Sequence, residues 1–280
     1  VAGLDGGVVA CNYIVARGTN SASVLNLNGG TLRAKSNQNI IGASNSYLFY
    51  YLTRVTVKSG GAVIDSQGYA VAIPQVLNHD ASLGATPDGG LTKRGTGSLT
   101  LATTNTYTGV TSIEAGTLKL GVPNTLSTNV SVLVASNAVF DVNGKAQTLA
   151  GLGGSGVVSN NTLLTVTQGV APGSTNAVGT LTLASTPAAL GGVFLAKVAT
   201  NGCDRLHVQG NLNLTGLALT VTNTEALVKS QPYVIASCTG ALTTPFSSVQ
   251  PLPPRWHVKY ATAAGQAYLS YDFGTLLMVR

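Results

Sequence analysis

Apolar and small polar residues alternate along this chain in bursts of four or five positions, each set off by Gly or Asn. Between Leu91 and Gly121 three bursts follow one another: Ser98-Leu99-Thr100-Leu101, Gly109-Val110-Thr111-Ser112-Ile113 and Gly116-Thr117-Leu118-Lys119-Leu120. A period of two sends successive side chains to opposite faces, so each burst predicts a short strand with one buried and one wet face. Strands this short bury too little surface alone and need copies stacked above and below. The pattern predicts the coils of a β-solenoid.

The same unit recurs along the chain. It is seen at Gly29-Gly30-Thr31-Leu32-Arg33-Ala34, Gly60-Gly61-Ala62-Val63-Ile64-Asp65, Asn137-Ala138-Val139-Phe140-Asp141-Val142, Gly179-Thr180-Leu181-Thr182-Leu183 and Gly210-Asn211-Leu212-Asn213-Leu214. The irregular spacing fits a solenoid with loops of variable length. Coils of roughly 20–25 residues stacked at about 4.8 Å would give a body on the order of 50–65 Å long. Residues 1–280 are expected to form one continuous solenoid with three zones. These are irregular coils over 1–90, regular coils over 91–215, and C-terminal coils with an aromatic-rich cap over 216–280. Helical periodicity is absent apart from a single turn expected at Thr224–Lys229.

Residues 91–118 resemble the autotransporter-associated β-strand repeat. Its pattern runs L-x-K-x-G-x-G-x-L-x-L, then N-x-Y-x-G-x-T, then A-G-x-L. Leu91, Lys93, Gly95, Gly97, Leu99, Leu101, Asn105, Tyr107, Gly109, Thr111, Ala115, Gly116 and Leu118 fall on it. The Ala171-Pro172-Gly173 and Asp204-x-Leu206-x-Val208-x-Gly210 segments resemble later coils of such proteins. The resemblance implies an all-β, right-handed parallel β-helix in a secreted or surface-displayed bacterial protein. It also leads one to expect a C-terminal membrane barrel, and residues 1–280 contain no such pattern.

Composition narrows the chemistry. Charged residues make up 9% of the chain and Gly contributes 34 of 280 residues. That suits stacked sheets faced with Thr and Ser and is unlike a disordered chain. The net charge of +6 is scattered, with Arg33/Lys35 and Lys93/Arg94 its densest pairs, so nucleic acid is not expected as a partner. No apolar window is long enough for a membrane-spanning helix. The chain begins at Val1 without a basic segment and apolar run, which reads as a mature chain with its leader removed. Val8-Val9-Ala10-Cys11 has the form of a lipid-attachment site, but the residues before it make a poor export segment.

Candidate site residues are few. Cys203 and Cys238 are candidates for a disulfide between neighbouring coils, with Cys11 left over; the alternative is three small buried hydrophobes. Asp65, Asp141 and Asp204 each end a Gly-flanked strand, where they are either a carboxylate set or solvent-facing turn residues bonding backbone N–H groups. His79, His207 and His257 lie in no nucleophile motif, and no Cys/His spacing suggests a metal, so neither metal nor cofactor is expected. Gly151–Gly156 reads as a solenoid corner, and the Asn residues at strand ends as ladders between coils. The aromatic cluster Tyr47, Phe49, Tyr50 and Tyr51 is the candidate interaction surface.

These readings lead to a non-enzymatic, secreted or cell-surface structural or adhesive protein, assembling with its own kind into a fibre or surface layer and touching cell-envelope or extracellular polysaccharide. The alternative is a carbohydrate-binding or carbohydrate-cleaving β-helix acting on acidic polysaccharide.

Overall fold

The alternating bursts become strands that lie above one another in register. The computed structural model describes residues 1–15, 22–37, 49–50 and 52–274. Its largest sheet holds thirteen strands, two of them off the main path. The path begins with Val8–Cys11, Thr31–Ala34, Ala62–Asp65, Leu91–Arg94, Thr111–Ile113 and Ser131–Val134. It continues with Gln147–Gly154, Leu164–Pro172, Gly192–Ala199, Leu217–Thr222 and Ser248–Val249. Ten strands form a second sheet, from Ala70–Ile73 through Ser98–Leu101 and Gly116–Leu120 to the final hairpin Trp256–Ala261 and Gln266–Tyr271. Pairing is parallel along the main path of both sheets until that hairpin; off the path, Gly202–Cys203 folds back antiparallel on Gly192–Ala199. This is a parallel β-helix.

Inward columns of apolar side chains run along the stack. In the second sheet Val71, Leu99, Leu118, Phe140, Val158, Leu183, Val208 and Cys238 are successive register partners, all buried. The interval between partners varies from 18 residues (Phe140 to Val158) to 30 (Val208 to Cys238), because loops of different length leave between coils of constant core. Alternation thus holds along this column while the sequence period does not, and elsewhere the register shifts, as between Leu149 and Gly151. The core formed by these columns extends from Leu4 to Leu269.

A third face begins as a four-stranded sheet of Ala2–Leu4, Val24–Leu27, Arg54–Val57 and Leu77–His79. Past Leu77 the sheet gives way to side-chain rungs. Asn105, 5% exposed, accepts from Leu77 N at 2.9 Å and donates to Thr125 O at 3.0 Å. Gln147 accepts from Leu126 N at 3.0 Å and donates to Leu126 O at 2.9 Å. Asn161 donates to Ser185 O and accepts from Ser185 Oγ. An amide side chain carries one acceptor and two donors, so it can take the place of a peptide group in a ladder. The expected Asn ladders exist at Asn105 and Asn161, and Gln147 joins them.

At the C-terminal side the hairpin reverses direction and packs aromatic rings on the last coils. Trp256 lies 6.0 Å from Tyr233 and 5.6 Å from Tyr271 between ring centroids, and Phe246 bridges Phe194 and Tyr260. The expected turn near Thr224 is a short 3-10 segment, Thr224–Ala226. Gly154–Gly156 forms the expected corner, with Gly154 at φ +102° and a bend at Ser155–Gly156 leading from the first sheet into the second, but the preceding glycines do not turn. Gly151 and Gly153 lie within the Gln147–Gly154 strand, where a Cβ would strike Ser131 Oγ or Ala171 O at 2.7 Å. Close approach of neighbouring coils, not a bend, requires glycine at those two positions.

Candidate functional site

The repeat residues of 91–118 converge on one corner, and Lys93 is its centre. In the first sheet Leu32, Ile64, Lys93, Ile113 and Val134 are successive register partners, so the lysine occupies an inward position and is fully buried. Its Nζ donates to Arg94 O at 2.9 Å, Gly95 O at 2.7 Å and Ala115 O at 3.0 Å. Three N–H groups thus meet three carbonyls where the chain turns out of the strand in two adjacent coils. Burial pulls the ammonium down to about 8, with the charge of Asp65 opposing it.

The other repeat positions serve the same packing. Tyr107, fully buried, places its hydroxyl 2.7 Å from Thr111 Oγ1, and burial pushes the phenol well above its usual value. A Cβ at Gly97 would sit 2.0 Å from Tyr69 O, and Gly116 has φ +67° beneath Gly97 O. Every repeat side chain just described therefore acts inside the stack. A second lysine behaves similarly later on. Lys197 Nζ donates to Ser174 O, Thr175 O and Ala177 O, holding the 173–179 loop whose base Asp204 secures through Gly179 N and Lys197 N.

The outer surface carries charge and loops. Arg33, Asp65, Arg94 and Glu114 follow one another on consecutive coils of the first sheet, with Arg33–Asp65 at 3.0 Å and Arg94–Glu114 at 2.8 Å. Where the third face is a sheet, His79 and Asp88 close the base of the 80–90 loop. His79 Nδ1 is 2.8 Å from Asp88 Oδ2, and its Nε2 is 3.1 Å from Gly84 O. The Asp88 carboxyl also receives Gly90 N, Gly109 N, Thr108 N and the Thr108 hydroxyl. Further along the first sheet an open apolar groove of about 320 Å³ has a floor of Gly151, Gly153 and Gly169 between Leu133, Val193 and Leu195.

The candidate carboxylates do not meet. Asp65 bonds Gln67 N and Arg33, Asp141 bonds Asn143 N and Asn160, and Asp204 bonds the two backbone N–H groups above. They bond backbone N–H groups as turn residues do, but Asp65 and Asp204 are 7% and 3% exposed rather than solvent-facing. Burial raises Asp204, with its two N–H partners opposing, whereas the bonds to Asp65 outweigh burial and lower it. Cys203 and Cys238 are free thiols held apart. Cys203 Sγ donates to Val234 O, and Cys238 lies four residues further along that strand, about 13 Å away at 3.3 Å per residue. A disulfide needs Cα atoms within about 7 Å, so the two could not bond without moving a strand. Tyr47 and Tyr51 lie outside the described residues; Phe49–Tyr50 form a short parallel pair with Ile14–Val15. Among the described residues no three His, Cys, Asp or Glu converge as metal ligands, and no helix is long and apolar enough to cross a membrane.

The sequence reading took Lys93 as a repeat position and half of a basic pair, although Leu91-Thr92-Lys93 puts it in phase with the inward leucine. His79 and Asp88 gave no signal, because their meeting depends on how the loop returns.

The family model for the passenger-associated-transport-repeat matches residues 91–120, the segment built around Lys93. The autotransporter adhesin BmaC of Brucella suis biovar 1 (strain 1330) is 31% identical over 157 residues, 54% of this chain. That match covers 4% of the adhesin's own length, so the chain corresponds to a small part of it. The chain carries a passenger-associated-transport-repeat within a parallel β-helix and is similar to part of an autotransporter adhesin.

Proposed function

We propose that residues 1–280 form one continuous solenoid that acts as an adhesive scaffold at the bacterial cell surface. The observation that carries this reading is the division of labour in the coil. The repeat residues lock the interior, while loops such as 80–90 and 173–179 and the outer sheet faces are left to meet a partner. Similarity to part of an autotransporter adhesin supports the same reading. The separation of Asp65, Asp141 and Asp204 argues for recognition rather than bond cleavage, since paired-carboxylate catalysis needs two carboxyls within about 10 Å of one substrate.

Beads coated with the purified chain test the proposal against epithelial cells and matrix proteins. Saturable adhesion that disappears when the exposed loops are replaced by Gly-Ser, with the β-sheet circular dichroism unchanged, is the expected result. Adhesion no greater than that of beads coated with an unrelated solenoid would overturn it.

Two finer elements belong to the same proposal. Copies assemble through exposed strand edges, which offer unpaired backbone groups to one another; particles that stay monomeric in light scattering and negative stain at high concentration would exclude this. Contact with anionic envelope or extracellular polysaccharide follows from the net charge of +6, and retention on an acidic-polysaccharide column that falls with salt would reveal it.

A further inference from the structure

We propose that His79 is a pH-operated clasp, whose doubly protonated ring holds the tip of the 80–90 loop against the coil and whose deprotonation releases it.

The argument begins with what the two ring nitrogens face. Nδ1 points at the Asp88 carboxyl, with Thr108 Oγ1 at 3.1 Å beside it, and Nε2 points at the Gly84 carbonyl. A carbonyl only accepts, and the other contacts of Asp88 all come from donors. Both nitrogens must therefore carry a proton for both contacts to form, which is the imidazolium state. A neutral ring has one N–H. If Nδ1 keeps it, the Nε2 lone pair opposes the Gly84 oxygen; if Nε2 keeps it, the Asp88 bond fails.

The consequence is local because of how the loop is tied. Its N-terminal base is fixed by Asp80, which pairs with Lys58 at 2.9 Å, and its C-terminal base by Asp88 and by Gly89 N on Lys58 O. Between them the short 3-10 turn Ala81–Leu83 and Thr86 bond within the loop. Ser82 and Leu83 bond back to Asp80, so the first turn stays tied through that base, and among the described residues the His79–Gly84 contact is the hydrogen bond that ties the tip, residues 84–87, to the coil. Those tip residues are exposed, so little packing would replace it.

The charged groups around the ring favour the clasped state. Asp88 contacts it, Asp80 is next in sequence with its Lys58 partner, and Arg54 from the neighbouring coil donates to the His79 carbonyl rather than to the ring. The Asp88 hydrogen bond raises the imidazole above its ordinary 6.5, with burial opposing and Gly84 and Asp80 adding to the rise. A raised value in the folded state makes the clasp complete below 6.5 and lost as pH climbs through the raised value.

The test follows the loop and the ring together in the intact chain. Backbone amide exchange of residues 80–88, corrected for the intrinsic effect of pH, is measured from pH 5 to 9 beside the nuclear magnetic resonance titration of His79. Protection is expected to fall about tenfold with the ring's own midpoint, the loss of one charge-assisted hydrogen bond. A His79→Gln variant should exchange fast at every pH, and His257→Gln should behave as the parent. Protection constant through the titration, a midpoint that differs from that of the ring, or a transition surviving in His79→Gln overturns the proposal. Should His79→Gln fail to fold, the two midpoints in the parent decide the matter alone.

Discussion

In a Lys93→Met variant the inward column Leu32, Ile64, residue 93, Ile113, Val134 would become apolar throughout, and the corner would lose its only buried ammonium among the described residues. Three carbonyls lose a donor. Arg94 O retains Ser66 N at 2.9 Å, which leaves Gly95 O and Ala115 O to be satisfied anew. An unpaired buried acceptor costs about 1–3 kcal/mol, so the two together cost about 2–6 kcal/mol. Removing a buried charge returns part of that, since apolar replacements of buried ions can be neutral or better. The net expectation is a loss of about 2–3 kcal/mol, read as a lower guanidinium midpoint at pH 7 with faster amide exchange across 93–116. A variant as stable as the parent would refute the reasoning, because it would mean that the carbonyls find other partners and the lysine is not what joins the two coils. The pH dependence supplies a second check. The amine titrates at about 8 when folded and 10.5 as its ordinary value, so the unfolded chain binds more protons between them. Parent stability relative to Lys93→Met should therefore rise from pH 8 toward 10.5, by up to about 3 kcal/mol, and fall back as pH drops through 8.

Other expectations concern single contacts. Gly97→Ala should cost about 3 kcal/mol in chemical denaturation, because its Cβ would meet backbone at 2.0 Å, whereas Gly144→Ala, with nothing within 4 Å and φ +64°, should cost only about 1 kcal/mol of backbone strain. Equal losses would show that the close approach at Gly97 relaxes freely. Tyr107→Phe removes the hydroxyl bonded to Thr111 and should lower stability by about 1 kcal/mol, with calorimetry as the check. Arg94→Ala breaks a pair whose side chains are 49% and 48% exposed, so denaturation curves should move by less than about 0.5 kcal/mol and show little added salt dependence.

Much of the stack was legible one strand at a time. Ser98–Leu101, Gly116–Leu120 and Thr180–Leu183 are strands because their alternation commits one face to the interior, and a one-residue slip would expose Leu99, Leu118 and Leu181. What alternation cannot state is which face of the coil a strand joins. The similar units at Thr31 and Gly116 lie in different sheets, the first and the second, because that assignment depends on corners and loops between them. The aspartates show the same limit. Their position after a strand implied a backbone-bonding turn, yet the depth of Asp204 follows from Gly179 and Lys197, which lie on other parts of the coil.

The sequence by itself determined the short stacked strands and the inward phase of most core residues, since both depend on a period of two that a reader can count, while the parallel direction of the stack was what the resemblance over 91–118 implied. The tertiary structure alone decided that Lys93 ties two coils, that amide side chains continue the third face, that Cys203 and Cys238 stand apart, and that His79 meets Asp88 and Gly84. Each of those depends on contacts between residues brought together by loops of unequal length, and no local pattern encodes where such a loop returns.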